Sequence, residues 1–473
     1  MWRSRMNNKS PSDQYKRLVS DILIFIIGIV LTKAIQFLLM PLYTSYMTSE
    51  AYGIAELTNN LAELFFPIAT LCIHEAAFRF AVDPDFEENG IVAAVIRVLA
   101  VSLCIGFFTA FISKRFFGYQ YAFYLFFILY AYSIRMCAAY YVRGIGLSKI
   151  FAVSGVVNAI ALGTFNVIFL IILKDEINGY LISIGLSYCV SAIYLLLKSR
   201  IVININFCVK TKNYLKILIE YSVPLIFYNV LYWFTTISGR YILIWFTDPS
   251  TVGRYVAAIK ISAVINMIQQ AVYAAFQLNS ARMFIEKDKE TYYSVIINMF
   301  ISLYCTFGAL IVCLTPILAK ATLKNEFYSA NCFLPIIMLS ALINCISSLL
   351  GTMYSAYKKT QRMVAVSVIG AVINVGAGVI LAPLCGIWGI CIASICCSSS
   401  QTIYKFIDIA KFCKINYNWK LVISDMLLLS IIVIVMSTNI SNKIIISFCL
   451  LLILSLANQK PILLALDMLV NKK

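Results

Sequence analysis

Charged residues are scarce in this chain of 473 residues: they form 12% of it, against roughly a quarter of a soluble domain. Hydrophobic residues form 62% of the chain, and the mean hydropathy is +0.88. Long polar stretches are also missing, because no gap between apolar runs exceeds roughly 20 residues. The composition excludes a sizeable soluble domain. It predicts an all-α integral membrane protein that crosses the bilayer many times.

Residues and motifs that carry chemistry are equally rare. His74 is the single histidine, and the 15 cysteines lie mostly inside apolar runs without metal-ligand spacing. We therefore predict no metal site and no cofactor, and interpret the cysteines as small packing residues. The sequence has no GxxxxGK[ST] phosphate-binding motif, no catalytic carboxylate motif and no long outer loop. We expect a transporter, not an ATP-driven pump, a glycan polymerase or another enzyme.

Apolar runs of bilayer-spanning length predict about fourteen transmembrane helices. An even number places both termini on one side of the membrane. The predicted loops on that side contain twenty-five lysine and arginine residues, whereas the opposite loops contain seven. Because basic residues collect in cytoplasmic loops, both termini are predicted to be cytoplasmic. The same bias explains the formal net charge of +17 without invoking nucleic acid.

Two pairs of similar segments divide the chain into halves. SEAYGIAEL (49–57) and PSTVGRYVAAIKI (249–261) both lead from a turn through a glycine into a helix, and Gly53 and Gly253 are offset by 200. A second pair, each after a basic loop, shares the tripeptide Ala-Val-Ser at an offset of 213. Parallel repeats are known in transporters. They predict an N-lobe of spans 1–6 (1–198), a cytoplasmic linker (199–216), a C-lobe of spans 7–12 (217–410) and two additional C-terminal spans (411–473).

Charged side chains deep in the predicted spans are costly, by roughly 2.5–3.5 kcal/mol each, and usually face a cavity. The deep cations are Lys33, Arg135, Arg240 and Lys260, and we predict that they bind substrate in a cationic cavity. This charge suits a diphosphate or an acidic sugar, because guanidinium groups fork onto phosphate oxygens. In the simpler alternative, Lys33 pairs with a buried glutamate and has no further role.

Polar residues also share one face of the predicted second span, taken as a single helix over 52–81. At 100° per residue, Glu56, Asn60, Glu63 and His74 fall within about ±40° of one line. Coupling to H⁺ or Na⁺ could run through Glu56, Glu63 or His74. A hydrogen-bonded packing role for His74 remains the alternative.

Three further residues are candidates for substrate binding. Arg79 lies near the cytoplasmic end of the second span, where its side chain can also snorkel towards the headgroups. Asn229 and Tyr232 lie on the same predicted face of the seventh span as Arg240. The aromatic residues of that span could stack on sugar rings.

Gly253, Tyr255, Ala258 and Lys260 form a turn-Gly-Tyr-x-x-Ala-x-Lys pattern. This pattern is typical of the eighth span in the polysaccharide-specific, Wzx-type flippases, and SEAYG resembles its partner at the second span. The chain resembles that family, a relative of the MATE exporters and the lipid II flippases, over nearly its whole length. The resemblance implies two six-helix lobes around a central cavity, plus two C-terminal helices, in the bacterial cytoplasmic membrane.

The resemblance also implies a function. Flippases of this kind carry undecaprenyl-diphosphate-linked oligosaccharide repeat units, as in O-antigen or capsule synthesis, from the inner to the outer leaflet by alternating access. The expected partners are the polyprenyl-diphosphate-linked glycan, membrane lipid, and polymerase and chain-length proteins. A MATE-like, cation-coupled drug exporter and a lipid II flippase remain alternatives, and the sequence does not identify the glycan.

Overall fold

All secondary structure in the described part of the chain is helical, which confirms the predicted all-α class. Ten of the described helices are long and apolar enough to cross a membrane, or eleven spans if one bent pair counts as a single span. The protein is therefore a multi-pass membrane protein. The count of fourteen spans stays a prediction, because the first predicted span (19–46) begins outside the described residues. The computed structural model describes residues 28, 31–83, 86–199, 212–283, 289–357, 359, 361–438, 440, 442–459 and 461.

The described helices follow the apolar runs of the sequence closely. Residues 31–38 are helical, and residues 167–172 continue one helix with wider π-type turns. A 3₁₀-helix, Asn325–Cys332, lies in a connection. In chain order the α-helices are α1 Met40–Tyr46, α2 Ser49–Ala69, α3 Ile73–Val82, α4 Glu88–Phe117, α5 Ala122–Gly144, α6 Ser148–Asn166, α7 Ile177–Ser199, α8 Lys212–Thr236, α9 Ser238–Phe246, α10 Pro249–Met283, α11 Lys289–Cys313, α12 Thr315–Thr322, α13 Leu334–Ala356, α14 Gln361–Cys385, α15 Ile387–Ile409, α16 Trp419–Ser437 and α17 Lys443–Ala457.

The helices form two compact units. The first unit contains the residues up to Gln36 together with Thr58–Val230, and the second contains Phe37–Leu57 together with the chain from Leu231 onwards. The short α1 and the first part of α2 therefore belong to the second unit. The domain limits predicted from the sequence repeat stay predictions.

The predicted second span is not one straight helix. It is broken into α2 and α3, whose axes differ in direction by 57°. Leu71 and Cys72 between them have φ angles of 52° and 53°, in the left-handed region that non-glycine residues seldom adopt. The Cys72 amide donates to the carbonyl of Pro67, a proline inside the last turns of α2. The prediction of one helix over 52–81, which assumed 100° per residue throughout, was wrong at this break.

Alanines lie among larger apolar residues in a core of the first unit, where α3 packs against α4 and α5. Alanine and glycine let membrane helices approach closely, so dispersion contacts replace the hydrophobic effect that lipid weakens. Gly144 on α5, for example, lies against Ala81 on α3. The buried core residues of this cluster are Ile73, Ala76, Ala77, Ala81, Ile91, Ala94, Val95, Val98, Cys137, Tyr141 and Leu218.

The second unit is organised around α13. This helix packs against α10, α11, α15 and α16, while α14 packs against α9 and α15. The last two described α-helices, α16 and α17, pack against each other and against α11. The helices that carry Lys260 (α10), Arg240 (α9) and Glu56 (the first part of α2) all belong to this unit.

Candidate functional site

Lys260 and Glu56 form an ion pair inside the second unit. The Lys260 ammonium group donates a hydrogen bond to Glu56 Oε1. The Glu56 side chain is 4% exposed and the Lys260 side chain 33%. Glu56 is therefore fixed in the protein interior, while part of the lysine side chain remains accessible. The pair joins α2 to α10 across 204 residues of sequence.

Two tyrosine rings surround the same ammonium group. Lys260 Nζ lies 5.1 Å from the centre of the Tyr52 ring and 5.5 Å from that of Tyr43. The two rings stack with their centres 5.8 Å apart, and both tyrosines are buried. Cations are attracted to the negative face of an aromatic ring at such distances. We refer to Tyr43, Tyr52, Glu56 and Lys260 as the lysine site.

The lysine site is positioned by a close helix crossing between α2 and α10. Gly53 and Gly253 face each other there, and a β-carbon on either would overlap the backbone of the other helix. Beside the crossing, Ser49 Oγ and Ser250 Oγ share a hydrogen bond of 2.5 Å. The Ser49 amide, at the start of α2, donates to Glu326 at 2.7 Å. These contacts fix the depth at which Glu56 and Lys260 meet.

Asp248 fixes the start of α10. Its carboxylate accepts hydrogen bonds from the Thr251 amide at 2.8 Å and from the Thr251 hydroxyl at 2.9 Å, as in a helix N-cap. Partial burial opposes ionisation, but these hydrogen bonds and the charge of Arg254 together lower the pKa of Asp248. The turn before α10 is therefore limited to Thr247 and Asp248, the helix begins at Pro249, and Lys260 follows Pro249 by eleven residues.

Arg240 lies in the same unit but has different neighbours. It is half-buried near the start of α9 and faces Tyr255 of α10. Tyr255 is buried and also faces α15 through Ser394. Lys260 therefore lies against the rings of α1 and α2, whereas Arg240 lies near Tyr255 of α10, which also faces α15. Whether both cations bind substrate stays a prediction.

Arg135 lies in the first unit within an aromatic cluster. Its Nε donates to Ser191 Oγ at 3.0 Å, and its guanidinium carbon lies 5.7 Å from the centre of the Tyr188 ring. Tyr188 packs against Tyr132 with ring centres 5.1 Å apart, and Glu63 faces Tyr132. Arg135 and Glu63 thus share an aromatic neighbour. The sequence pattern did not predict this proximity.

His74 is buried on α3 and packed between rings. Its ring centre lies 4.7 Å from that of Phe66 and 4.9 Å from that of Tyr140. Nε2 lies 3.8 Å from Glu75, while buried Nδ1 has no hydrogen-bond partner in the described chain. Two of the polar residues predicted to share a helix face with His74 differ in exposure, since Asn60 is 2% exposed and Glu63 is exposed. The break before α3 separates His74 from the face of α2.

The remaining predicted site residues have local partners. Lys33 is exposed and donates to Gln36 at 3.3 Å, and Arg79 at the end of α3 pairs with Asp83 at 4.0 Å. Asn229 donates to the sulfur of Cys72 at 3.6 Å, next to the break between α2 and α3. Tyr232 is 57% exposed. Their roles in binding stay predictions.

Sequence reasoning overlooked several functional-site candidates. Tyr43 and Tyr52 lie in or beside the SEAYG repeat, but nothing in the pattern predicts that their rings face a lysine 200 residues away. Asp408 was overlooked too: its side chain is 4% exposed, accepts a hydrogen bond from Arg362 and forms an ion pair with Lys411 at 3.6 Å. Asp425 is fully buried on α16. A count of acidic residues inside the predicted spans would have found Asp425, whereas Asp408 lies one residue beyond the predicted span 386–407.

No cluster of three or more histidine, cysteine, aspartate or glutamate side chains suited to a metal ion occurs in the described ranges. The described cysteines are free thiols. The donor groups of the lysine site are cationic and aromatic, with a single carboxylate. Such a set suits an anionic or polar ligand better than a metal ion, which needs several oxygen, nitrogen or sulfur ligands.

The fold is similar to that of solved membrane transporters. The lipid II flippase MurJ, in an inward closed conformation, has a TM-score of 0.68 at 11% identity, and the match covers 94% of this chain and 99% of that one. An outward-facing multidrug resistance MATE family transporter of the MOP superfamily has a TM-score of 0.57 at 14% identity, covering 82% and 94%. A MOP superfamily transporter from Pyrococcus furiosus has a TM-score of 0.56 at 13% identity, covering 82% and 95%. These likenesses confirm the predicted class of fold.

Sequence comparison identifies the family. No curated protein matches the chain. The sequence profile described as "Polysaccharide biosynthesis protein" matches residues 18–276, which is more than half of the chain and includes the whole lysine site. The protein is thus a multi-pass membrane protein with a transporter fold, and the chain belongs to the polysaccharide biosynthesis protein family.

Proposed function

We propose that this protein is a flippase for undecaprenyl-diphosphate-linked oligosaccharide repeat units, moving them from the inner to the outer leaflet of the bacterial cytoplasmic membrane by alternating access. One observation carries the proposal: Lys260, whose side chain is partly exposed and whose ammonium group is held by Glu56 and two tyrosine rings inside an apolar helical unit. The family match supports the substrate class. Both termini are cytoplasmic in this proposal.

The depth of Lys260 suits a diphosphate in transit. Eleven residues of α-helix separate it from Pro249, a rise of about 16 Å, or about half of the 30 Å hydrocarbon layer. A diphosphate there would otherwise lose its hydration without compensation. An ammonium group at mid-depth supplies a charge-assisted hydrogen bond where it is most needed.

Glu56 has a separate role between substrates. An unpaired charge in a low-dielectric interior is unfavourable, and Glu56 supplies the counter-charge for Lys260 when no substrate is bound. A diphosphate carries more negative charge than one carboxylate, so it competes for the ammonium group. We propose that Lys260 exchanges Glu56 for the diphosphate as the head group passes and returns to Glu56 when it leaves.

The rings and the other cations of each unit also contribute to substrate binding in this proposal. Tyr43 and Tyr52 orient the lysine through their faces. Arg240, and Arg135 with Tyr188 beside it, offer further contacts for phosphate oxygens and sugar rings. The reaction forms and breaks no covalent bond, so the protein is a transporter and not an enzyme. Polymerase and chain-length proteins would consume the translocated unit.

Transport in proteoliposomes tests the function. A labelled prenyl-diphosphate oligosaccharide is scored for movement between leaflets by wild type, Lys260→Ala and Lys324→Ala. Lys324 is the matched control, because it is exposed and its ammonium group donates to the nearby Lys320 carbonyl at 3.2 Å. We expect Lys260→Ala to slow flipping about tenfold or more, since a charge-assisted hydrogen bond contributes about 1.5–3 kcal/mol. Lys324→Ala should flip at the wild-type rate.

A second comparison separates binding from folding. The double variant Glu56→Gln with Lys260→Met removes both charges and leaves no buried ion unpaired. We expect it to fold and insert but not to flip. Normal flipping by this variant would show that the pair is only structural and would overturn the lysine site.

The same vesicles address the drug-exporter alternative. Wild type that leaves several prenyl-diphosphate glycans in place but exports organic cations along an ion gradient would contradict the flippase proposal. Activity with lipid II alone would retain the mechanism and change the glycan.

A further inference from the structure

The second unit contains a buried carboxyl group that the proposed translocation does not use. Asp425 on α16 and Asn458, the residue that follows α17, are both 0% exposed. Asn458 Nδ2 donates to Asp425 Oδ1 at 2.9 Å and to the Leu454 carbonyl at 3.1 Å. The pair therefore joins the two C-terminal helices at one end.

Two acceptor oxygens of this pair have no hydrogen-bond partner in the part of the chain that the structure describes. They are Asp425 Oδ2 and Asn458 Oδ1. A buried acceptor without a donor costs about 1–3 kcal/mol, and an ionised carboxylate inside a membrane protein costs more unless a cation pairs with it. The described ion pairs of this unit involve Glu56 and Asp408, not Asp425.

The surroundings of Asp425 contain few charged or titratable groups. Helix α16 packs against α11, α13, α17 and the 3₁₀-helix. The Ser302 hydroxyl of α11 approaches the carboxyl group without reaching hydrogen-bond geometry with Oδ2, and the buried thiol of Cys305 also faces the group. No charged group in the described parts of α13, α17 and the 3₁₀-helix faces the carboxyl group. The carboxyl group is thus enclosed by apolar, hydroxyl, thiol and amide groups.

We propose that Asp425 and Asn458 form a proton-binding site in which Asp425 carries a proton on Oδ2 in this conformation. The proton removes the negative charge and turns Oδ2 into a donor. Asn458 Oδ1 is the acceptor of the same pair that lacks a donor, so one proton can satisfy both atoms. A carboxylic acid and a carboxamide joined by two hydrogen bonds form a neutral pair suited to a dry interior.

A metal cation fits these groups less well. Hard cations such as Ca²⁺ and Mg²⁺ take six or more oxygen ligands. The pair offers Asp425 Oδ2 and Asn458 Oδ1, with the Ser302 hydroxyl nearby. A proton needs only one donor atom and one acceptor atom.

The site lies near one end of both helices. Asp425 is six residues beyond Trp419, about 9 Å along the axis of α16. Asn458 follows the last turn of α17, on the cytoplasmic side of the predicted topology. If the end of α17 separates from α16, water reaches the carboxyl group and the proton leaves Oδ2 for that water, because an exposed aspartate ionises at neutral pH. Coupling of this step to glycan transport rests on the proposed function.

Infrared spectroscopy of the purified full-length protein tests the proton directly. At neutral pH we expect the wild type to show the carbonyl stretch of a protonated carboxylic acid, and Asp425→Asn to lack that component. Asp408→Asn is the matched control, because Asp408 is buried but paired with Arg362 and Lys411. It should retain the band. Identical wild-type and Asp425→Asn spectra at neutral pH would overturn the proposal.

Two further experiments distinguish a proton from a metal cation and test whether the site is coupled to transport. A band that disappears when Na⁺ replaces K⁺ would assign the site to a metal cation and overturn the proton. In proteoliposomes, a pH gradient should change the flipping rate of wild type but not that of Asp425→Asn, and an equal gradient response in both would contradict coupling. Wild type that does not flip but shows the band would contradict the proposed function and leave the proton site intact.

Discussion

Gly53 on α2 and Gly253 on α10 lie where the two helices cross, each facing the backbone of the other. The same two glycines occupy equivalent positions in the sequence repeat, 200 residues apart. The repeat therefore marks a contact as well as a duplication. Glu56 follows Gly53 by one turn and Lys260 follows Gly253 by two, so the crossing sets where the ion pair forms.

Replacing either crossing glycine should destabilise the protein. In Gly53→Ala or Gly253→Ala the new methyl group would overlap backbone atoms, which cannot move aside as a flexible side chain can. We expect a lower melting temperature in detergent and a weaker lysine site, with a loss of about 1–3 kcal/mol, as for overpacked cores. Gly376→Ala is the control: it lies inside α14 with open space around it, so alanine should be neutral or stabilise by about 0.5–1 kcal/mol. Equal effects at all three positions would contradict the close crossing.

Neutralising one member of the Glu56–Lys260 ion pair should lower the free energy of unfolding more than neutralising both members. Glu56→Gln leaves a lysine without its counter-ion, and Lys260→Met leaves a buried carboxylate without its own. We expect each to lower the free energy of unfolding, with Lys260→Met the more harmful because Glu56 is the more buried partner. The losses should fall short of the 3–5 kcal/mol of a fully buried pair, since a third of Lys260 is exposed to solvent screening. The double variant should recover part of the stability in a thermodynamic cycle, and additive losses would contradict a direct interaction.

Arg135 should depend on the shape of its side chain as well as its charge. Arg135→Lys keeps the charge but loses the planar group that bonds Ser191 and lies over the Tyr188 ring. We expect a loss of about 1 kcal/mol in thermal unfolding, within the range of a cation–π contact and one hydrogen bond. Tyr188→Leu should weaken the same cluster, whereas Tyr188→Phe, which retains the ring, should not. Equal stability of the leucine and phenylalanine variants would argue against stacking.

The contribution of Asp248 should depend on pH. Its hydrogen bonds to Thr251 lower the pKa of Asp248 in the folded protein. In the unfolded chain the carboxyl group has its ordinary pKa of 3.8. As the pH falls, the unfolded carboxyl group therefore takes up a proton before the folded one does. The stabilisation is therefore present above pH 3.8 and is lost as the pH falls through the lower folded pKa. At neutral pH we expect Asp248→Ala to lose about 1 kcal/mol, as for other helix N-caps, and Asp248→Asn to lose much less. Unfolding of both variants measured across pH checks this. A difference that persists unchanged at the most acidic pH would contradict the assigned cause.

Much of the fold follows from one-dimensional properties of the chain. A run of apolar residues long enough to cross a bilayer must satisfy its backbone hydrogen bonds internally, and a helix does so without distant partners. Composition and run length therefore predicted the helices and the membrane class. The break at Leu71 and Cys72 escaped prediction, because a hydropathy window averages over two residues in left-handed conformation.

The sequence predicted which residues belong to the site better than it predicted which residues they contact. Lys260 and Glu56 were both identified as deep charges, yet the only pairing considered for Glu56 was an alternative in which Lys33 pairs with Glu56 or Glu63. The structure pairs Glu56 with Lys260, and Lys33 donates to Gln36. Helical periodicity orders residues along one helix, but it does not state which other helix faces them.

The sequence alone determined that this chain is a multi-pass helical membrane protein with a few cations in apolar helices and a repeat marked by two glycines. Those properties depend on neighbours in the chain, which composition and periodicity record. Only the tertiary structure decided that the two glycines meet, that Lys260 lies over Tyr43 and Tyr52 beside Glu56, and that Asp425 is enclosed with Asn458. Pairings of this kind depend on which helices cross, and the paired residues are tens to hundreds of positions apart in the chain. Many helix arrangements bury the same apolar residues, and small differences in packing decide between them.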